Sequence, residues 1–183
     1  MNKLTSNFEM DKYGLHVRLV NGSDAEFILK LRTDSKLSRY LHSTDSDLSK
    51  QVEWIMNYKN RELQGIDYYF IYSQNNNFIG LNRIYNIKDK EATSGSWICQ
   101  QGLDVDLVIS TLLLERDILF EHLNKDFDVF DVRKKNYQVI RTHKMMGAKI
   151  IGETDLDYLF QLDKNSYFKK KIYIIDLLNL KNN

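Results

Sequence analysis

The sequence of 183 residues contains no proline and a single cysteine, Cys99. Without proline, turns have to use glycine, asparagine, aspartate or serine. One cysteine excludes an internal disulfide, and because Cys99 lies in a strand-like segment we interpret it as a buried, unreactive thiol. The chain also lacks an apolar run of the roughly 18 residues that a membrane-spanning helix needs.

A charge excess of either sign is missing as well, since Lys and Arg number 26 and Asp and Glu number 25. No broad basic field is therefore expected to attract nucleic acid. The apolar share of 43% and the charged share of 28% are typical of a soluble globular protein. The first ten residues do not resemble a secretory signal, so we expect a cytoplasmic protein. The histidines do not cluster with other ligand residues, and no metal site is expected.

The length suits a single domain covering residues 1–183, with a core at about 15–176, because domains commonly run about 100 to 200 residues. Periodicity and turn residues predict a mixed α/β sheet. The predicted helices cover 25–33, a segment capped by Asp47 or Ser49, a buried helix at 106–122, and 136–146 ended by Gly147. The predicted strands cover 15–20, 68–72, 78–85, 95–99, 127–132, 149–160 and 167–175. We interpret the three lysines at 169–171 as the solvated edge of the last strand.

Residues 136–148 carry the most specific motif. Asn136, Ile140 and Gly147 match in register a helical segment of the GNAT N-acetyltransferases, which the chain resembles over about residues 15–175. The resemblance implies a mixed, mostly antiparallel sheet of about seven strands flanked by about four helices. It implies a splay between the strand ending near Cys99 and the strand at 127–132, where pantetheine enters. It also implies acetyl transfer from acetyl-CoA to a primary amine.

The resemblance places the acetyl-CoA site at the end of one strand, the start of the buried helix and one later residue: Cys99, Gln100, Gln101, Asp106, Leu107, Val108 and Asn136. In the family, a glycine-rich loop with a Gln or Arg binds the pyrophosphate through bare amides at a helix N-terminus. Here that segment has one glycine, no basic residue and two aspartates, Asp104 and Asp106, which we interpret as helix caps. The free N–H groups of the helix remain available to an anion.

Register against the family assigns two candidate catalytic residues. Asp131 falls where a carboxylate accepts the proton of the amine, and His143 replaces the tyrosine that protonates the leaving thiolate. Burial between two apolar neighbours would tune this carboxylate as a base near neutrality. The alternatives are that Asp131 points outward from a strand edge and that His143 is a polar surface residue. The neighbouring Asp126 and Asp128 are expected to be exposed.

Residues 29–55 most resemble the enzymes that acetylate the 4-amino group of nucleotide-linked amino sugars in pseudaminic-acid-type pathways. The candidate acceptor-binding residues there are Arg32, Tyr40, His42 and Gln51. Arg32 suits a phosphate and Tyr40 suits stacking on a base, although both could be ordinary surface residues. Trp54 and Trp97 are expected in the core. Such an acceptor implies a role in surface polysaccharide synthesis.

Two other functions stay open at this point. A ribosomal-protein or N-terminal peptide acetyltransferase shares the fold but needs an open groove for its substrate. A degenerate binding module without catalysis would explain the glycine-poor loop and the missing tyrosine. A homodimer is compatible with either function.

Overall fold

The computed structural model describes residues 2–180. It contains eight strands and five α-helices. About seven strands and about four helices were expected. The strands are β1 (Glu9–Lys12), β2 (Leu15–Leu19), β3 (Asp67–Gln74), β4 (Asn77–Tyr85), β5 (Glu91–Cys99), β6 (Phe127–Arg133), β7 (Lys149–Glu153) and β8 (Asp157–Asp163). The helices are α1 (Ala25–Thr33), α2 (Leu48–Gln64), α3 (Val105–Asp117), α4 (Tyr137–Met145) and α5 (Lys164–Leu177). A 3₁₀ turn, Gly22–Asp24, leads into α1, and a π-helical turn, Ile118–His122, extends α3.

The strands form one mixed sheet in the order β1-β2-β3-β4-β5-β6-β8-β7. Every neighbouring pair is antiparallel except β5 and β6, which run parallel and pair at only two positions, Glu91 with Phe127 and Ala92 with Asp128. Beyond these positions the two strands separate. The predicted mixed sheet and its splay between β5 and β6 are both confirmed.

Helix ends use the residues that a chain without proline has to use. Asp47 begins α2 by accepting a hydrogen bond of 2.8 Å from the amide of Ser49, which decides between the two predicted caps. Gly147 follows α4 with a φ of +98°, a left-handed conformation that favours glycine. The amides of Gly147 and Ala148 then bond the carbonyls of Lys144 and His143, both at 3.0 Å, in a Schellman motif.

The prediction for the C-terminal quarter is wrong in two places. Residues 149–160 form a hairpin of β7 and β8 with a turn between them. Residues 167–175, predicted as a strand, lie inside α5, which begins where Asp163 accepts a 2.9 Å bond from the amide of Ser166. Tyr167, Lys171 and Ile174 recur at helical spacing and are buried. The lysines at 169–171 are therefore on a helix and not at a strand edge.

The sheet has a separate apolar core on each face. On one face α1 and α2 pack through Ile28, Leu31, Ile55 and Tyr58. On the other face α3, α4 and α5 pack through a larger set of side chains, among them Leu112, Leu113, Phe120, Ile140, Phe160 and Tyr167. From Ile109 onward α3 is buried on every side, which confirms the expectation for this helix. Because α3 also buries Glu115, Arg116 and Asp117, charged groups lie directly beneath the sheet.

Candidate active site

The site is built around the gap between β5 and β6. A bulge in β5 shifts its register against β4, so that Arg83 pairs with Gly95 while Leu81 pairs with Ile98. Ser96 within the bulge has a φ of +53°. Bulges bend a strand and increase its twist. The C-terminal half of β5 therefore diverges from β6 and leaves one wall of the gap without a β ladder.

A cavity of about 490 Å³ opens into this gap. Most of its lining comes from β5, β6, α3 and the α4 segment: Ser94 to Trp97, Phe130 to Arg133, Leu112, Glu115, Arg116, Asn136, Val139 and His143. Tyr85 of β4 and Thr154, Asp157 and Leu159 of the β7–β8 hairpin complete this part of the wall. Arg32, Tyr40, Leu41 and His42 close it from the side of α1. Six of the candidate site residues thus line one cavity: Arg32, Tyr40, His42, Asp131, Asn136 and His143.

Asp131 reaches this cavity from β6 with an exposed side chain. The desolvation expected from its apolar neighbours is absent, because Phe130 and Val132 point to the opposite, buried face of the strand. On the cavity side its charge acts on Tyr85, whose pKa is raised first by burial and then by Asp131. Asp131 is therefore a solvated carboxylate at the cavity wall.

His143 is 6% exposed and packs against Phe130, with a ring-centroid distance of 4.5 Å, and against Phe160. It is not a surface residue. Its Nδ1 has no hydrogen-bond partner among the described residues. Burial, and secondly the charge of Arg116, hold the pKa of His143 well below its ordinary value of 6.5. The ring is therefore neutral at neutral pH, a state in which it donates hydrogen bonds but is a poor proton donor.

Beneath the gap lies a charge cluster that the sequence analysis missed. Glu115 and Arg116 contact each other on α3, and Arg116 Nε lies 2.8 Å from Asp128 Oδ2, although it is not aligned for a hydrogen bond. Asp128 was expected to be exposed but is fully buried, because it shares the inward face of β6 with Phe130. Asp126 is exposed as expected. Three consecutive charged residues, Glu115 to Asp117, at the end of the largely apolar helix α3 were the available signal.

The acceptor-side candidates order the loop between α1 and α2. Arg32 donates from Nε to Thr44 Oγ1 at 2.7 Å and from Nη2 to the carbonyl of His42 at 3.2 Å. Tyr40 donates to the carbonyl of Lys135 at 3.0 Å and so joins this loop to the segment before α4. The guanidinium of Arg39 lies 4.7 Å from the Tyr40 ring centroid.

Gln51 lies in an adjoining cavity of about 340 Å³, which shares Arg32, His42 and Ser96 with the first. Gln51 is 6% exposed, and Lys50 and Arg83 add positive charge to the same walls. Trp54 stacks on Tyr58 with centroids 5.7 Å apart and packs on the core, as expected. Trp97 also packs on the core and donates to Thr111 at 2.9 Å, while one side of it lines the first cavity.

Of the other residues predicted for acetyl-CoA, Cys99 is a protonated thiol, because burial raises its pKa to about 11. Gln100 donates to the carbonyl of Phe78 at 2.6 Å. Gln101 and Asp106 are exposed, while Leu107 and Val108 are half-buried at the start of α3. Asp104 occupies the N-cap position, but its side chain makes no cap bond, so the predicted capping role is wrong for Asp104. The first-turn amides of α3 therefore keep their donors free.

Comparison with solved structures assigns this architecture. Apo FdhC, described as a nucleotide-linked sugar GNAT, superposes with a TM-score of 0.84 at 35% identity, covering 94% of this chain and 99% of that one. The chain belongs to the GNAT family. This GNAT enzyme is an acetyl-CoA-dependent N-acetyltransferase, and acetyl-CoA is its co-substrate. No protein-family model and no curated protein sequence matches the chain.

More distant GNAT structures share the fold alone. The ribosomal-protein-S5-alanine acetyltransferase from Vibrio fischeri has a TM-score of 0.75 at 14% identity, covering 88% of this chain and 99% of that one. The spermidine N-acetyltransferase from Vibrio cholerae, in complex with CoA and spermine, has a TM-score of 0.74 at 17% identity, covering 85% of this chain and 98% of that one.

The residues of this GNAT enzyme fit acetyl-CoA at two points. Beyond their two paired positions, β5 and β6 turn unpaired edges toward the gap, which suits an extended pantetheine chain. The free amides at the start of α3 present donors to a pyrophosphate, and the helix dipole favours an anion there. The exposed Asp104 and Asp106 oppose that anion. Between residues 2 and 180 we find no acidic, histidine or cysteine cluster suited to a metal and no helix able to cross a membrane.

Proposed function

We propose that this enzyme acetylates the 4-amino group of a nucleotide-linked amino sugar. The observation that carries the proposal is that two cavities adjoin, because Arg32, His42 and Ser96 line both. The first cavity reaches the gap where the thioester enters, and the second lies beside it with Arg32, Lys50 and Arg83 in its walls. An acceptor with an amine at one end and a diphosphate at the other matches that arrangement. The likeness to a nucleotide-linked sugar GNAT supports the same substrate class.

The charge distribution favours a diphosphate over a polyamine or a peptide amine. Arg32, Lys50 and Arg83 line the second cavity. Lys50 pairs with Asp45, the one carboxylate in this lining, and Arg83 pairs with the buried Asp67. Arg32 has no carboxylate partner among the described residues, so its positive charge is available to a ligand. A polycation such as spermidine would be repelled there. An N-terminal peptide needs an open groove, and a likeness of 14% to the ribosomal-protein enzyme supports the fold alone. A module without catalysis is set aside because the chain belongs to an acetyltransferase family.

Within the proposed reaction, Asp131 accepts the proton that the amine loses as its nitrogen attacks the thioester carbonyl. His143, which is neutral, donates a hydrogen bond to the thioester sulfur. Arg32 binds the acceptor diphosphate, with His42 and Gln51 beside it, and Asn136 contacts the donor. Tyr40 closes the side of the cavity, because Arg39 already covers its ring. We further propose a single domain, action in the cytoplasm and a role in surface polysaccharide synthesis, and a homodimer stays a prediction.

A substrate panel tests the acceptor. Release of the CoA thiol is followed with acetyl-CoA and a UDP- or dTDP-linked 4-amino sugar, the same sugar without its nucleotide, spermidine, and an alanine-terminated peptide. We expect kcat/KM for the nucleotide-linked sugar to exceed that of the free sugar by about 100-fold or more, since two charged phosphates add charge-assisted hydrogen bonds. Equal turnover of linked and free sugars, or preference for spermidine or the peptide, would refute the proposal.

A further inference from the structure

Two carboxyl groups and one guanidinium are buried together beneath the gap. Glu115, Arg116 and Asp128 are each at most 1% exposed. Arg116 contacts both carboxyl groups, so one positive charge faces two acidic groups. A second ionised carboxylate in this enclosed space would leave a net negative charge away from water, which is costly. The cluster is therefore neutral when one of the two carboxyl groups holds a proton.

The hydrogen bonds decide which carboxyl group is ionised. Asp128 accepts from the Ser94 amide at 2.9 Å and from Ser94 Oγ at 2.8 Å, in addition to its contact with Arg116. Glu115 Oε2 accepts from Arg116 Nη1, whereas Glu115 Oε1 is buried and has no hydrogen-bond partner among the described residues. An anion is stabilised where donors surround it, and a buried anionic oxygen without a donor is expensive. Asp128 therefore carries the negative charge and Glu115 carries the proton.

Burial raises the pKa of both carboxyl groups, but for Asp128 the charge of Arg116 and the two bonds from Ser94 oppose the rise. Burial raises the pKa of Glu115 to about 8; the charge of Arg116 and the amide of Asn82 oppose the rise, and the charge of Asp128 adds to it. The other titratable groups that face the cluster are uncharged at neutral pH, because burial raises the pKa of the tyrosines and the cysteine and lowers that of the histidine; they are Tyr72 of β3, Tyr85 of β4, Cys99 of β5, His143 of α4 and Tyr167 of α5. Glu115 is thus a carboxylic acid near neutrality.

We propose that Glu115 is the catalytic acid of this enzyme and donates its proton to the thiolate that leaves. Glu115 lines the same cavity as Asp131 and His143. His143 occupies the register position of the family's acidic tyrosine but is neutral, so its N–H is a poor proton source. A buried carboxylic acid that is still protonated at neutral pH can supply this proton.

The proton balance of the step is complete. The nitrogen–carbon bond forms, the carbon–sulfur bond breaks with its electron pair going to sulfur, and Glu115 transfers its O–H proton to that sulfur. Asp131 takes the proton that nitrogen loses. Glu115 is then ionised and Asp131 protonated, and one proton exchanged through the solvent of the shared cavity restores both. This scheme depends on acetyl transfer from acetyl-CoA, and on the proposed function only for the choice of acceptor.

The first test uses the protein alone and needs no acceptor. Infrared difference spectra between about pH 6 and pH 10 report the carbonyl band of a buried protonated carboxyl group, which disappears as the group ionises. We expect this band in the wild type with a midpoint near the pKa of about 8. The band should be absent from the spectrum of Glu115→Gln. It should be unchanged in the matched control Glu121→Gln, because Glu121 has an exposed side chain in the π-helical turn after α3. A wild-type spectrum without the band would overturn the proposal.

The second test follows kcat/KM against pH with an accepted amine. Glu115 donates only below its folded pKa, so the wild-type rate should fall as pH rises through about 8. Glu115→Gln should be slower by about 100-fold or more and should lose this fall of kcat/KM at high pH. Glu115→Asp should keep a fall at high pH, because it keeps a carboxyl group. Glu121→Gln should match the wild type. A Glu115→Gln enzyme that binds acetyl-CoA normally and keeps both rate and limb refutes the role. If that variant does not fold, the wild-type infrared titration and Glu115→Asp decide.

Discussion

Asp131 and Glu115 line the same cavity but differ in their exposure to water. Asp131 is solvated at the wall, whereas Glu115 is enclosed by α3, β4 and β6 beside another carboxylate. Solvation keeps an anion available to accept a proton, and enclosure retains a proton for donation. This difference in surroundings is the physical basis on which we propose Asp131 as the base and Glu115 as the acid.

Replacement of Asp131 tests the base. Asp131→Asn removes the proton acceptor but keeps size and polarity, so kcat should fall by about 10²- to 10⁴-fold while calorimetric affinity for acetyl-CoA stays unchanged. Asp126→Asn is a matched control, because Asp126 is exposed just before the same strand and its contact with Lys164 uses its backbone carbonyl. A fully active Asp131→Asn enzyme would transfer the base role to solvent.

Arg32 could act in two ways, by binding the acceptor diphosphate and by ordering the loop through its bond to Thr44. The two roles have to be separated by experiment. Arg32→Ala should raise KM for a nucleotide-linked acceptor by about 10- to 100-fold, because a hydrogen bond to a charged group contributes about 1.5 to 3 kcal/mol. Thr44→Val removes the bond between Arg32 and Thr44 but keeps the guanidinium and its bond to the carbonyl of His42. It serves as the control in the same initial-rate assay. An equal rise in KM in both variants would show that Arg32 orders the loop without contacting the acceptor.

At the scale of elements, the loop between α1 and α2 covers one side of the cavity. The bond from Tyr40 to the carbonyl of Lys135 is a cross-link over 95 positions of sequence between this loop and the segment before α4. Few buried apolar contacts support a loop of this kind, so a single hydrogen bond contributes a large part of its local stability. The strands, by contrast, are fixed by full ladders and two cores.

Tyr40→Phe tests this cross-link. Loss of the hydroxyl should accelerate amide hydrogen exchange of residues 34–47 and raise acceptor KM a few-fold, with about 0.5 to 1.5 kcal/mol lost locally. Global stability should be preserved, since the bond lies at a loop. Tyr173→Phe provides the control, because Tyr173 is 60% exposed on α5. Unchanged exchange rates in Tyr40→Phe would show that other contacts hold the loop.

On the scale of the whole molecule, Asp117 joins elements that are far apart in sequence. Its carboxylate accepts bonds from Lys12 at 2.6 Å, Tyr13 at 2.7 Å, Tyr167 at 2.7 Å and Lys171 at 2.6 Å. These donors lie in or beside β1 and α5, at the two ends of the described chain. Although burial alone would raise the pKa of Asp117, the hydrogen bonds from Lys12 and Lys171 hold it below its ordinary value.

Removal of this charge should destabilise the fold. Asp117→Asn leaves the half-buried Lys12 and the buried Lys171 with only the more exposed Glu121 as a carboxylate partner. We therefore expect a loss of about 3 kcal/mol in the free energy of unfolding, measured by urea denaturation at pH 7. Because the folded pKa is lowered, the wild-type stabilisation is present above the unfolded pKa and is lost as pH falls through the folded pKa. The difference between wild type and variant should therefore shrink in acid. Asp176→Asn, exposed on α5, is the control.

Most of the fold could be predicted from the sequence, because helix caps, turns and apolar periodicity are local. The order of elements from β2 to α4 follows from such signals, among them the Asp47 cap and the left-handed Gly147, whereas β1 was not predicted. The last helix could not be predicted, because its apolar positions also fit a short strand, and its choice of helix depends on packing against α3. The same local motif around Asn136 was sufficient to indicate the family.

The sequence by itself determined the family, the splayed sheet that the family implies, and six of the residues that line the cavity. Only the tertiary structure decided their protonation and burial. Asp128, Glu115 and Arg116 lie on β6 and α3, and their charges balance only where these elements meet beneath β5. His143 becomes neutral because Phe130 and Phe160 remove it from water. Desolvation and charge pairing depend on neighbours distant in sequence, and so a local pattern does not contain them.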